Sequence, residues 1–159
     1  MKLSSRFSVS GQAFVLIFII LAICGGILWY LQSTNAAAKR DGIQYGHQVI
    51  DRLVVKHDRS LLDTELAALA KNEMPPSQRD YLIQRFAQLG VPQQPIQIDD
   101  DVSFDSSFFG LIKANPHGIF TAHLNYPGQG MTLQLATSQG TTKWLIENIT
   151  LSQGNQPAR

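Results

Sequence analysis

Phe120-Thr121-Ala122-His123-Leu124-Asn125-Tyr126-Pro127-Gly128-Gln129-Gly130-Met131-Thr132-Leu133-Gln134-Leu135 is the stretch whose reading decides the fold. On either side of Pro127-Gly128-Gln129-Gly130, apolar residues take every second place, and that period marks a strand with one buried face. Phe120, Ala122, Leu124 and Tyr126 fall on one side of the first strand, with Thr121, His123 and Asn125 on the other. Met131, Leu133 and Leu135 alternate on the way back. The stretch reads as an antiparallel hairpin, dry on one face and wet on the other.

Toward the C-terminus, Gln139-Gly140 marks a further turn before a strand from about Thr142 to Leu151. Trp144 and Ile146 share a face, but Ile149 and Leu151 are displaced by one position. One extra residue near Glu147-Asn148 brings all four to the same side. That is the effect of a β-bulge, which also bends a sheet around helices. A strand buried on both faces, with no bulge, is the competing reading. Toward the N-terminus, Asn115-Pro116-His117-Gly118 reads as the turn that opens the meander. Ile96, Ile98, Val102 and Phe104 read as an earlier strand.

Upstream of Pro95 the period becomes helical. Residues 36–57 place Ile43, Ile50, Leu53 and Val54 on one face, as an amphipathic helix does, although Gly42 and Gly46 weaken its first turns. Asp58 or Ser60 caps a second helix striped by Leu62, Leu66 and Leu69, which Pro75-Pro76 ends. Ser77 caps a third, with Asp80 in its first turn, Leu82, Phe86 and Leu89 as its stripe, and Gly90 and Pro92 as its stop. Eight basic and seven acidic residues are interspersed between positions 39 and 90, the pattern of a solvated helical surface. His47 and His57 do not share a helix face, whereas metal ligands on a helix need spacings of about three or four.

Helices followed by an antiparallel meander closing on Gly140, Trp144, Ile146, Ile149 and Leu151, in the pattern G-x-x-x-W-x-I-x-x-I-x-L, resemble the nuclear transport factor two-like (cystatin-like) cone-shaped α+β superfamily over residues 40 to 152. The resemblance implies helices held in the concavity of a curved sheet. It also implies a broad functional range: isomerases, dehydratases, ligand-binding proteins and envelope domains without catalysis. One membrane-anchored branch helps assemble bacterial secretion channels through a single N-terminal helix. Enzymes of this superfamily place a carboxylate or histidine and a tyrosine inside the cone. Tyr81 and Tyr126 are the tyrosines that could face inward here, while His123 alternates out of phase with Tyr126. No inward-facing strand residue is Asp or Glu, and acid–base chemistry needs such a group within reach of substrate. The expectation leans away from an enzyme.

From Ala13 to Leu31 run 19 residues without a charge. A helix of that length spans roughly 28 Å at ~1.5 Å per residue, close to the ~30 Å hydrocarbon core. Trp29 and Tyr30 close the run, where amphipathic rings suit the headgroup boundary. Lys2, Arg6 and the terminal amine precede it, and Lys39 and Arg40, with Asp41 beside them, follow. This balance places the N-terminus inside and the domain outside, which in a bacterium means the inner (cytoplasmic) membrane and the periplasm. Ala36-Ala37-Ala38 offers a cleavage site, but the apolar run is longer than a signal core. Cys24 has Ile23 before it and a continuing apolar run after it, unlike a lipoprotein box. Gly11 before an apolar stretch looks like a pilin leader junction, with Leu16 where that family carries glutamate. As the one cysteine, Cys24 leaves no disulfide framework within a chain.

Past residue 32 there are 11 basic and 12 acidic side chains, a near-neutral balance that gives no electrostatic reason to expect nucleic acid. Asp99, Asp101, Ser103 and Asp105 mimic the opening of a calcium loop, but Phe104 and Gly110 stand where that loop needs Gly and Glu. Asn148-Ile149-Thr150 matches a glycosylation acceptor inside a strand. Phe108-Phe109-Gly110-Leu111-Ile112 reads as a buried connection or as a docking segment.

The expectation is therefore an α+β chain: a short tail over residues 1–12, a transmembrane helix over 13–32, a soluble domain over 33–152 and a tail over 153–159. About three helices pack on a curved antiparallel sheet of four or so strands. Tyr81, Phe86, Phe108, Phe109, Phe120, Tyr126 and Trp144 are the candidate pocket or partner-binding residues, with Trp29 and Tyr30 at the membrane interface. No metal or cofactor is expected. The partners expected are the membrane and either another protein or a second copy of the chain. The functional expectation is a tethered interaction domain in a secretion or envelope assembly, with a ligand-binding or catalytic cone and a pilin-like subunit as alternatives.

Overall fold

A computed structural model describes residues 11–107 and 112–153. The chain divides into two units, one up to Ala37 and the other from Ala38 on. The first helix, α1, covers Gly11–Val54 and belongs to both. In the first unit its large apolar side chains stand in the open, from Ile19 at 50% to Phe18 at 77% exposed. Among the described residues, this is the one helix long and apolar enough to cross a membrane.

The second unit is α+β. After α1 come α2 (Arg59–Glu65), α3 (Ala68–Glu73) and α4 (Pro76–Leu89), then β1 (Gln97–Ser107), β2 (Ile112–Tyr126), β3 (Gln129–Gln139) and β4 (Trp144–Gln153). The strands form one open antiparallel meander in chain order. Its inner face buries Phe120, Ala122, Leu124 and Tyr126 of β2, Met131, Leu133 and Leu135 of β3, and Trp144, Ile146 and Ile149 of β4. Against these pack Val49, Ile50, Leu53 and Val54 of α1, Leu61 and Leu62 of α2, and Phe86 of α4. The hairpin at residues 120–135 is paired as its alternation predicts, Phe120 opposite Leu135 and Leu124 opposite Met131.

The bulge in β4 is present where the apolar phase slips. Ala136 faces Asn148 and Thr137 faces Ile146, leaving Glu147 as the extra residue. Ile149 is buried with Trp144 and Ile146, and Leu151 packs at the margin of the core.

Four expectations need correction. Asn115-Pro116-His117-Gly118 is not a turn but lies within β2. Phe104 pairs with Pro116 and Asp105 with Ala114, so Asn115 is a bulge residue, at φ 54°. Asparagine tolerates the left-handed region better than most residues. The β2–β3 ladder begins only at His117, so the missing N–H of Pro116 breaks no bond to β3. The segment Phe108-Phe109-Gly110-Leu111, which includes two of the candidate residues, lies outside the described residues.

The expected second helix is two. Ala67 donates its N–H to the Ile146 carbonyl at 2.8 Å, and Leu66 bridges Ile146 in parallel. This pairing with the free side of β4 interrupts the helix and resets its phase. Leu62 and Leu66 remain buried, but Leu69 turns outward to 78% exposure and Ala70 takes the inner position. At the start of α2, Asp58 is the cap, accepting from the Ser60 N–H at 3.0 Å.

The third correction concerns α4, which starts at Pro76 with Pro75 as its N-cap and no side-chain cap. A proline in the first turn has no N–H to satisfy, so Ser77 is not needed as a cap. Asp80 pairs with Arg59 at 2.8 Å. Finally, the helix drawn over residues 36–57 ends at Val54, and His57 turns the chain at φ 51°. Gly90, at φ 78°, ends α4 and donates to the Phe86 carbonyl at 3.0 Å.

Candidate functional site

Of the described aromatic residues proposed for a pocket, four are packed in the core. Phe86 and Phe120 are fully buried, and Tyr126 and Trp144 are at 5% and 6% exposure. Their rings fill the space between helices and sheet. Tyr81 points outward at 66% exposure, on the side of α4 away from Phe86, which corrects its inward placement. Trp29 and Tyr30 are exposed on the first unit's helix.

Two of these rings are seated on glycines. A Cβ added to Gly46 would strike the tip of the Phe120 ring, and one added to Gly118 would come within 2.5 Å of the same ring. A Cβ on Gly42 would come within 2.6 Å of the Trp144 ring. Gly42 and Gly46 are one helical turn apart, on the same side of α1. They weaken the helix locally and let the sheet's aromatic rings reach its backbone. Tyr126 holds its hydroxyl in the core without a partner, and burial pushes its pKa up to about 12.

Beside Trp144 lies a hollow of about 450 Å3 on the surface of the second unit. Asp41, Gln44, Tyr45 and Gln48 come to it from α1, Glu65 from the end of α2, and Lys143 from the turn before β4. The α1 residues recur at the spacing of one helix face. Tyr45 stacks on Trp144 with centroids 6.3 Å apart. Burial, and after it the neighbouring Glu65 carboxylate, pushes the Tyr45 hydroxyl well above the ordinary tyrosine range, so it keeps its proton. Glu65 accepts from Arg52 at 2.8 Å, and Arg52 also grips Asp58 at 2.7 Å. The hydrogen bond from Ser60, then the one from Arg52, holds the Asp58 carboxyl below its usual value. Lys143 reaches the Thr64 carbonyl at 3.3 Å. The arrangement can hold hydrogen-bonding and charged groups.

A second hollow, also about 450 Å3, opens where the two bulges meet one end of the sheet, lined by Asp105, Asn115, His117, Ser138 and Glu147 among others. His117 Nε2 lies 3.0 Å from Asp105, and on the same outer face His123 Nε2 lies 3.2 Å from Asp99. The aspartates read as a calcium-loop opening are thus spread along an edge strand, two of them facing histidines. Among the described residues no group of three or more His, Cys, Asp or Glu gathers as a metal site would require.

Sequence reading missed the first hollow. Asp41, Gln44, Tyr45 and Gln48 fall at the spacing of one helix face, but Glu65, Lys143 and Trp144 join them only through the tertiary fold. No protein-family model matches the chain, and neither the curated proteins nor the solved structures yield a match.

Proposed function

We propose that the chain is a membrane-tethered interaction domain, held by its N-terminal helix in the inner membrane with the second unit in the periplasm, and that it serves in a secretion or envelope assembly rather than as an enzyme. The observation that carries this reading is the contrast between the units. The apolar helix of the first leaves large side chains more than half exposed, such as Phe18 and Trp29, which water disfavours by roughly 1.5–3 kcal/mol for each such side chain. A bilayer removes that cost. The second unit has a core of its own, and among the described residues every buried hydrophobic one lies between Val49 and Ile149. Rings that would line a catalytic cone are packed, which supports a role in binding other macromolecules. Lys2 and Arg6 before the helix are matched by Lys39 and Arg40 after it, and the terminal amine on the first side with Asp41 beside the second pair supports the orientation.

Alkaline extraction of membranes from cells making the full chain tests the tether. The chain should stay with the lipid pellet, and protease added outside the membrane should cut the second unit and spare the N-terminus. Recovery of mature protein in the soluble fraction would refute the tether. In-cell crosslinking tests the assembly role: adducts with itself or other membrane proteins are expected, and a chain that stays monomeric and alone would count against that role.

A further inference from the structure

The sheet runs β1-β2-β3-β4, so β1 and β4 are its edges. On the β4 side the chain's own backbone engages the edge, where Leu66 bridges Ile146 and the Ala67 N–H reaches the Ile146 carbonyl. On the β1 side, among the described residues, no backbone bond outside the β1–β2 ladder reaches Gln97–Ser107. An antiparallel pairing uses the backbone groups of alternate residues, so the residues between them present N–H and C=O outward. At 11 residues β1 is long for an edge, against about 5–6 for a common strand. An open edge of that length is a template for another extended chain.

The side chains of β1 say what kind of chain fits. The strand carries four aspartates, all exposed, and no lysine or arginine. Asp99 and Asp101 lie opposite Thr121 and Ile119 on the outer face, and Asp105 reaches His117 on the same face at 3.0 Å. Among the described residues Asp100 and Asp101 have no salt bridge. On the inner face Val102 is buried, but Ile98, like Ile96 before the strand, is only half-buried at the margin of the core. Like charges set opposite one another destabilise a ladder. Four aspartates per copy therefore oppose pairing of β1 with β1 of a second copy, and they favour a strand of opposite sign. The half-covered isoleucines ask that same strand for apolar residues on its inner side.

We propose that the open edge of β1 takes an extended basic segment of a partner protein as a further strand, with Lys or Arg at alternate places beside Asp99, Asp101 and Asp105 and apolar residues between them toward Ile98. The proposal rests on the interaction-domain reading and names the chemistry of the partner. Crosslinked adducts in cells without binding at this edge would remove the proposal alone, and binding here without adducts would remove the assembly role alone.

The test uses the full chain in uncharged detergent, with empty micelles as the blank, and a fluorescent peptide of about nine residues alternating lysine and valine, the length of a strand. Three comparison peptides carry glutamate for lysine, the same residues in block order, or N-methyl groups on the backbone amides. Anisotropy should show saturable binding of the alternating basic peptide with a Kd below about 100 μM, and about tenfold weaker binding or worse for the other three. The N-methylated peptide keeps the charge and loses the ladder, so it separates strand addition from simple attraction. Asp99→Asn with Asp101→Asn should weaken binding about tenfold, with circular dichroism unchanged. A chain carrying Ser103→Cys and Cys24→Ser reports the competing occupant, because copies paired along β1 would oxidise rapidly to a disulfide-linked dimer; it should stay monomeric. The proposal is overturned if no saturable binding is seen, if any comparison peptide binds as tightly, if the double variant binds as its parent does, or if the disulfide-linked dimer forms.

Discussion

Phe120 shows how much one side chain can demand of its neighbours. Its ring is fully buried, with its tip close to Gly46 of α1 and Gly118 of its own strand. In the sequence, Gly46 counts only against a helix, because glycine costs about 1 kcal/mol relative to alanine in a helix interior. The benefit is invisible there, since the ring that needs the space lies far along the chain in β2. Gly46→Ala should therefore behave opposite to its helix propensity. The gain of about 1 kcal/mol in propensity meets an overpacking cost of about 1–3 kcal/mol, and Gly118 limits the ring's retreat on its other side. A net loss of up to about 2 kcal/mol is expected in urea unfolding. Pairing it with Phe120→Leu should make the double variant less damaged than the sum of the two singles. A stabilised Gly46→Ala protein would show that the ring is not held as described.

Elements were legible in proportion to how local their causes are. The β2–β3 hairpin is written in alternation and a Pro-Gly turn, and the slip in β4 in a one-place shift of apolar phase. Each needs only its own strand to be seen. The α2–α3 break is not written locally, because it depends on the Ala67 N–H finding Ile146 on β4. The Asn115-Pro116 bulge was misread because the dipeptide is a turn signal whenever its strand partners are unknown. The polar hollow was missed for the same reason, since Glu65, Lys143 and Trp144 meet the α1 residues only in the folded chain. The bulge in β4 makes a sharp prediction. Deleting Glu147 leaves Ala136 and Thr137 facing consecutive residues and keeps Trp144, Ile146, Ile149 and Leu151 on one side. Only the local bend is lost, at about 1–2 kcal/mol. Deleting Leu145 instead turns Trp144 out of phase with Ile146, strips its packing on Gly42 and Tyr45, and should cost about 3 kcal/mol or more. In a Trp29→Phe background, Trp144 emission should stay blue in the first variant and shift red in the second. Equal losses in both would argue against the bulge as the element that sets the phase of β4.

At the scale of the whole molecule, the question is whether the second unit needs the first. Among the described residues its buried hydrophobic side chains begin at Val49 and all lie on the Ala38 side of the division. Cutting before Ala38 leaves residues 38–54 of α1, a length at which an isolated helix in water is marginal because nucleation is costly. Tertiary packing supplies what propensity does not: Val49, Ile50, Leu53 and Val54 are buried against the sheet, and the Trp144 and Phe120 rings cover Gly42 and Gly46. Beyond Val54, the bonds from Arg52 to Asp58 and Glu65 tie the end of α1 to α2 at 2.7 and 2.8 Å. None of these contacts uses a residue before Ala38. A chain of residues 38–159 should therefore be soluble without detergent and unfold in one cooperative transition, with a stability in the common range of about 5–15 kcal/mol. Its urea midpoint should match that of the second unit in the full chain held in detergent, read from Trp144 emission. A fragment that binds hydrophobic dyes and lacks sharp near-ultraviolet circular dichroism would mean that the apolar helix contributes to folding as well as to anchoring.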